Sequence, residues 1–146
     1  MKKIEWDDNL SVGIAAIDEQ HRRWIEHYNK VVDAVESLGG PAPVNSTLSF
    51  LIDYTEAHFR TEQGFMAQVS YPGMAEHVVK HDELRDTVAN LVRDFEEEGS
   101  THQLGVAVET LLGNWLIDHI KEIDQQFGAY VREHALVLGA PTDAAR

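Results

Sequence analysis

The chain has 146 residues, enough for one domain that buries a substantial core without staples. It contains no cysteine, which excludes disulfides, thiolate metal sites, iron–sulfur clusters and cysteine nucleophiles. With 12 basic and 25 acidic residues its net charge is −13, so nucleic acid and anionic lipid are poor partners, and no apolar run approaches the ~20 residues of a membrane span.

Residues 1–17 read as an ordered arm containing Trp6 and Ser11-Val12-Gly13-Ile14. The two lysines near the start precede no apolar segment, so the arm is not a secretory signal and a cytoplasmic protein is expected. From about Asp18 the pattern turns helical: His21, Trp24, Tyr28, Val31, Val35 and Leu38 make the a/d seam of a bundle helix. Gly39, Gly40, Pro41 and Pro43 stop it. A second helix is expected to start at Asn45, Ser46 or Thr47, each able to cap it, with Leu51, His58, Glu62 and Phe65 inward. Tyr71-Pro72-Gly73 is a turn. The third helix runs from about Met74 to Glu98 on a seam of His77, His81, Leu84, Val88, Leu91 and Phe95. After a break at Gly99, the fourth starts near His102 and carries Val108, Leu112, Trp115 and His119 inward. Both Gly128 and Gly139 invite its end, and 140–146 are small and polar enough to fray. No segment alternates like a half-buried strand. The expected fold is all-α, an up-down-up-down antiparallel four-helix bundle with an N-terminal arm. Its parts are an arm at 1–17, a bundle over about 18–130 and a tail over about 131–146, all one domain.

The chemistry lies in seven residues. Side chains four apart on a helix differ by about 40° in direction, so His58 and Glu62 point together, as do His77 and His81. His119 and Asp124 are five apart, about 140° on a regular helix, and can share a site only if the helix loosens or bulges between them. The sequence therefore predicts an irregularity at 120–124. A lone histidine on an apolar face is more often a hydrogen-bonded core residue than a ligand. Five histidines and Glu62 on several inner seams are a different matter. Burying that carboxylate unpaired costs several kcal/mol, a cost that metal coordination removes. Five imidazoles with two carboxylates are too many for one tetrahedral ion and suit two metal ions. The ligand types alone fit iron, manganese, zinc or copper. Hydrolytic two-metal sites usually hold more carboxylate, and no Glu-x-x-His of the oxidase type occurs, the nearest pattern being Asp18-x-x-His21.

The chain resembles the bacterial hemerythrins, non-haem di-iron oxygen-binding proteins, from about Ile4 to Phe127. The resemblance rests on Trp6, Ser11-Val12-Gly13-Ile14, Ile17-Asp18-Glu19-Gln20-His21, His58-Phe59-x-x-Glu62, Tyr71-Pro72, His77-x-x-x-His81 and Trp115-Leu116-x-x-His119-Ile120-x-x-x-Asp124. It implies a cofactor of two non-haem iron ions with an oxo or hydroxo bridge. One iron would be held by His77, His81 and His119. The other would be held by His21 and His58 and keep an open position for dioxygen. Glu62 and Asp124 would bridge the two. Leu116 would line the oxygen pocket, with Trp6 and Trp115 helping to seal it. Many relatives carry a second glutamate where this chain has Gln63, a residue expected to lie on the bundle surface and not to be a ligand. His27, His102 and His134 are expected outside the site.

The function expected is reversible dioxygen binding for storage, delivery or buffering, without catalysis. The alternatives are an oxygen or redox sensor acting through a separate partner, and a di-iron peroxidase or nitric-oxide-handling enzyme. Dioxygen is the partner, no protein partner is specified, and a monomer suffices.

Overall fold

The computed structural model describes residues 3–37, 41–99 and 102–139. The expectations for Leu38, Gly39 and Gly40 and for a fraying 140–146 fall outside these residues. Four long helices make an antiparallel bundle: α1 (Ala15–Glu36), α2 (Pro41–Gln68), α3 (Met74–Glu98) and α4 (102–133). Each packs on the next, and α4 returns to α1 to close the bundle. Among the described residues no helix is long and apolar enough to cross a membrane.

The arm is held by side chains of the bundle. Asp7 accepts the amide of Asn9 at 2.7 Å and opens a short 3-10 turn, Asp8–Leu10, which buries Leu10. Helix α1 begins at Ala15, three residues before the sequence pattern suggested. Asp18 therefore lies in its first turn, where it accepts the Ser11 hydroxyl at 2.5 Å and the Val12 amide at 2.8 Å. From the other end of the chain, Gln125 donates to the Ser11 carbonyl at 2.6 Å and Arg132 to the Val12 carbonyl at 3.0 Å. Gly128 lies inside α4 and does not end it. An added Cβ there would sit 2.1 Å from the Val12 carbonyl oxygen, so the close approach of arm and helix requires glycine.

The start of α2 corrects the sequence reading. The helix begins at Pro41, not at Asn45–Thr47. The first four N–H groups of a helix have no partner within it, so proline costs little there, and its fixed φ suits the first turn. Two prolines that look like a stop are thus a start. The turn at Tyr71–Gly73 forms as expected: Ser70 adopts φ 51° and the Tyr71 amide donates to the Met66 carbonyl at 2.9 Å. At the end of α3, Gly99 takes φ 79° and donates to the Phe95 carbonyl.

Helix α4 is not regular. Its α-helical turns are interrupted by π-helical segments at Val108–Gly113 and at His119–Asp124. The second is the irregularity that the five-residue step predicts. The first, which the sequence reading missed, places Gly113 against Tyr28. A Cβ on residue 113 would lie 2.4 Å from the Tyr28 hydroxyl oxygen.

The apolar core comes in two parts. The larger holds Trp24, Tyr28, Leu51, Phe59, Leu84, Leu112, Leu116 and Ile120, among others. The smaller holds Val12, Ile14, Ile17, Phe65, Met66, Phe127 and Val131. A polar layer lies between them. On α1, His21 falls between Ile17 and Trp24; on α2, Glu62 falls between Phe59 and Phe65; on α4, Asp124 falls between Ile120 and Phe127.

Candidate metal centre

All four helices contribute to the polar layer: His21 from α1, His58 and Glu62 from α2, His77 and His81 from α3, His119 and Asp124 from α4. Every one of the seven is buried, none above 3% exposed. Helical spacing explains the paired ligands of α2 and α3, since one turn separates each pair. The pair on α4 needs its π segment. An i→i+5 bond closes one turn in such a helix, so residues five apart come to lie one above the other.

The five imidazoles all present Nε2 to the two carboxylates, and they divide by oxygen. Glu62 Oε1 faces His77, His81 and His119 at 2.6, 3.1 and 3.8 Å. Glu62 Oε2 faces His58 and His21 at 3.3 and 3.9 Å. Asp124 repeats the division. Its Oδ1 lies 3.0 Å from both His77 and His119, and its Oδ2 lies 2.9 Å from His21. The arrangement is two donor groups, one with three histidines and one with two, spanned by both carboxylates. Ligand-type atoms within 4.8 Å of one another fall into the same two groups, Glu62, His77, His81 and His119 on one side and His21, His58, Glu62 and Asp124 on the other.

These atoms are close but mostly not hydrogen-bonded to one another. Among the buried side-chain atoms without a hydrogen-bond partner are His21 Nε2, His58 Nε2, His119 Nε2, Glu62 Oε2 and both carboxylate oxygens of Asp124. His21 Nε2 and Asp124 Oδ2, at 2.9 Å, have the distance of a hydrogen bond without its direction. Lone pairs that converge on shared space while leaving each other unpaired are costly in a protein interior. Cations placed between them remove the cost, and imidazole nitrogen with carboxylate oxygen is a donor set that suits iron. The residues present therefore fit two metal ions.

The protonation pattern points the same way. Burial resists charge on Glu62 and Asp124, and at Asp124 the Glu62 charge adds to the resistance. The surrounding imidazoles outweigh both and hold the two carboxyls well below the usual range. Burial also resists protonation of His77 and His119. The carboxylates of Asp124 and Glu62 close beside them nevertheless push them up to about 10 and about 9. Burial prevails at His58, which is lowered, and at His81, which falls to about 4. Two buried negative charges thus need positive charge beside them, which protons or metal ions can supply.

Aromatic rings wall the histidines. Phe59 stacks face to face on His81, with centroids 3.6 Å apart and planes 6° apart, and the Arg85 guanidinium covers the Phe59 ring at 5.2 Å. Trp115 stacks on His119 at 4.4 Å, and Trp24 lies 4.9 Å from His58 and 6.1 Å from His21. Leu116 is buried in the larger apolar cluster. Trp6 is partly buried against that cluster beneath Arg22, whose guanidinium lies 4.6 Å from its ring. No ring contact joins Trp6 to the histidines among the described residues. His27 packs on Tyr54, and the exposed His134 packs on Tyr130, both away from the site. For His102 only its place at the start of α4 is described. Gln20, to which the sequence reading gives no site role, lies 2.8 Å from His58 Nδ1, and Gln63, expected on the bundle surface, is half-buried and lies 3.2 Å from His81 Nδ1. Each adjoins a ligand-type residue in the chain, which is the signal that could have found them.

Residues 12–131 match the family model described as hemerythrin HHE cation binding domain. The chain is 33% identical over 134 residues to the bacteriohemerythrin of Stenotrophomonas maltophilia (strain R551-3), covering 92% of this chain and 85% of that protein. It is 30% identical to the bacteriohemerythrin of Pseudomonas aeruginosa (strain LESB58), covering 90% and 84% of the two chains. Its fold is similar to a crystal structure of wild-type hemerythrin, with a TM-score of 0.77 at 26% identity over 86% of this chain and 95% of that one.

Proposed function

The chain belongs to the hemerythrin family, and from that premise we propose that His21, His58, Glu62, His77, His81, His119 and Asp124 hold its two iron ions. The protein binds dioxygen reversibly at a non-haem di-iron centre with an oxo or hydroxo bridge. Its activity is uptake and release of a ligand, without turnover. The residue assignment rests on one observation above the others: each carboxylate turns one oxygen to the three-histidine group and the other to the two-histidine group. Such a division suits bridging and serves no purpose for a single ion.

When bound, two ferrous ions supply the electrons that dioxygen takes up and returns. The protein residues set where and how safely that happens. His77, His81 and His119 fill one side of the centre with donors. His21 and His58 leave the other side one donor short, which reserves a place for the ligand. Phe59, Trp24 and Trp115 hold the imidazole planes and keep water from the buried donors. As in the family this chain resembles, Leu116 would line the ligand side and Trp6 and Trp115 would help seal it, a role supported for Trp115 by its stacking on His119. We take 1–146 as one domain built for oxygen storage, delivery or buffering, and we place it in the cytoplasm.

The test is an absorption spectrum through one cycle of reduction, exposure to oxygen and degassing. Ferric bands that appear with oxygen and vanish on degassing are the expected result. Oxidation that degassing never reverses would overturn the assignment. His21→Ala and His58→Ala should each abolish the reversible bands, whereas His134→Ala should leave them intact.

A further inference from the structure

We propose that Gln20 and Gln63 are positioning residues for the centre, one for each of its halves. The proposal rests on the di-iron reading above.

Gln20 lies just before His21 on α1 and grips a histidine of α2. Its Oε1 is 2.8 Å from His58 Nδ1. Its Nε2 donates to the Thr61 hydroxyl oxygen at 3.2 Å, and that hydroxyl donates to the Ala57 carbonyl at 3.1 Å. This relay fixes which way the amide faces. The Thr61 hydrogen is committed to Ala57, so the Thr61 oxygen can only accept from the amide NH2 of Gln20. The amide oxygen must then face His58. An oxygen there makes His58 Nδ1 the donor, and the Nε2 lone pair is left aimed into the cluster.

Gln63 repeats the device between the next two helices. It follows Glu62 on α2, and its Oε1 lies 3.2 Å from His81 Nδ1 on α3. The opposite nitrogen, His81 Nε2, lies 3.1 Å from Glu62 Oε1. One turn of α2 thus supplies both a carboxylate of the cluster and the hook for a histidine of the neighbouring helix. Gln20 serves the two-histidine group and Gln63 the three-histidine group.

Both hooks are neutral. A histidine held by a carboxylate becomes a more basic ligand, which favours the higher oxidation state of a metal. The site already has two buried carboxylates in a chain of net charge −13. An amide oxygen fixes the ring and its tautomer without adding negative charge, which keeps the reduced form within reach for release of oxygen.

The experiment compares wild type with Gln20→Leu, Gln63→Leu, Gln20→Glu and Gln63→Glu. Metal-free proteins are titrated with Co2+ against a chromophoric chelator, and circular dichroism reports the fold. The leucine variants should lose about 10- to 100-fold in affinity, the usual effect of removing a partner of a metal-ligating histidine. The glutamate variants should restore wild-type affinity or exceed it. In the iron-loaded form they should shift the reduction potential negative. Leucine variants that bind as wild type would overturn the proposal. Should the leucine variants fail to fold, glutamate variants with unchanged potential would overturn it. Wild type taking up fewer than two ions per chain would instead overturn the di-metal reading and this proposal with it. A stoichiometry of two with indifferent leucine variants overturns this proposal alone.

Discussion

Gly128 shows how one atom decides the sign of a substitution. An alanine in the middle of a helix normally stabilises it by about 1 kcal/mol over glycine. Here the added Cβ would meet backbone, 2.1 Å from the Val12 carbonyl oxygen, and neither the arm nor α4 can yield cheaply. Gly128→Ala should therefore destabilise the protein by about 1–3 kcal/mol, as overpacking does, and a thermal melt would show it. A rise in Tm would mean that the arm lies further from α4. Sequence alone offers Gly128 as a helix stop, because composition cannot tell a glycine that breaks a helix from one that admits a neighbour. The same limit hides the contacts that Gln20 and Gln63 make with the histidine rings. Spacing says which way a Cβ points, but a long amide side chain can lean around the helix and reach a ring its Cβ does not face. The short, stiff histidines of α2 and α3 go where their spacing sends them, so their meeting is legible.

At the scale of the element, α4 departs furthest from what periodicity can describe. The His119–Asp124 step betrays its π segment because two polar residues must meet across five positions. Val108–Gly113 carries no such marker, since apolar residues tolerate a shifted register without an obvious clash in pattern. The start of α2 was misread for a related reason: proline is scored as a breaker, although its missing N–H is harmless in a first turn. The π segment at His119–Asp124 leads to a prediction. Deleting Lys121 leaves His119 and Asp124 four apart, a spacing that an ordinary α turn also stacks on one face. That variant should keep its helix content and its uptake of two metal ions. Deleting Val79, which is exposed on α3, leaves His77 and His81 three apart and swings every later side chain by about 100°. It should lose the centre. Equal behaviour of the two deletions, read by circular dichroism and metal stoichiometry, would show that the π segment has no such role.

For the whole molecule, four helices converge on a layer of unpaired polar atoms, so metal and fold are linked. Removing metal with a chelator should lower Tm. At free metal 100-fold above its Kd a single site contributes about 2.7 kcal/mol. In a chain of this size that is roughly 5–11 °C. An unchanged Tm would separate the cluster from the stability of the bundle. The bundle itself is legible at this scale, because its seams are long and its turns are marked by Tyr71-Pro72-Gly73 and Gly99. The division of the core around the polar layer has a consequence of its own. Stability in a protein is local, and regions with few apolar neighbours open before the rest. The smaller apolar cluster joins Val12, Ile14 and Ile17 to the last turns of α4 and meets the larger one across the histidine–carboxylate layer. Without metal it should open more readily than the larger half, because it holds fewer apolar residues. With metal bound across the layer, the backbone amides of residues 12–17 and of Gln125–Glu133 should exchange with solvent more slowly than in the metal-free protein.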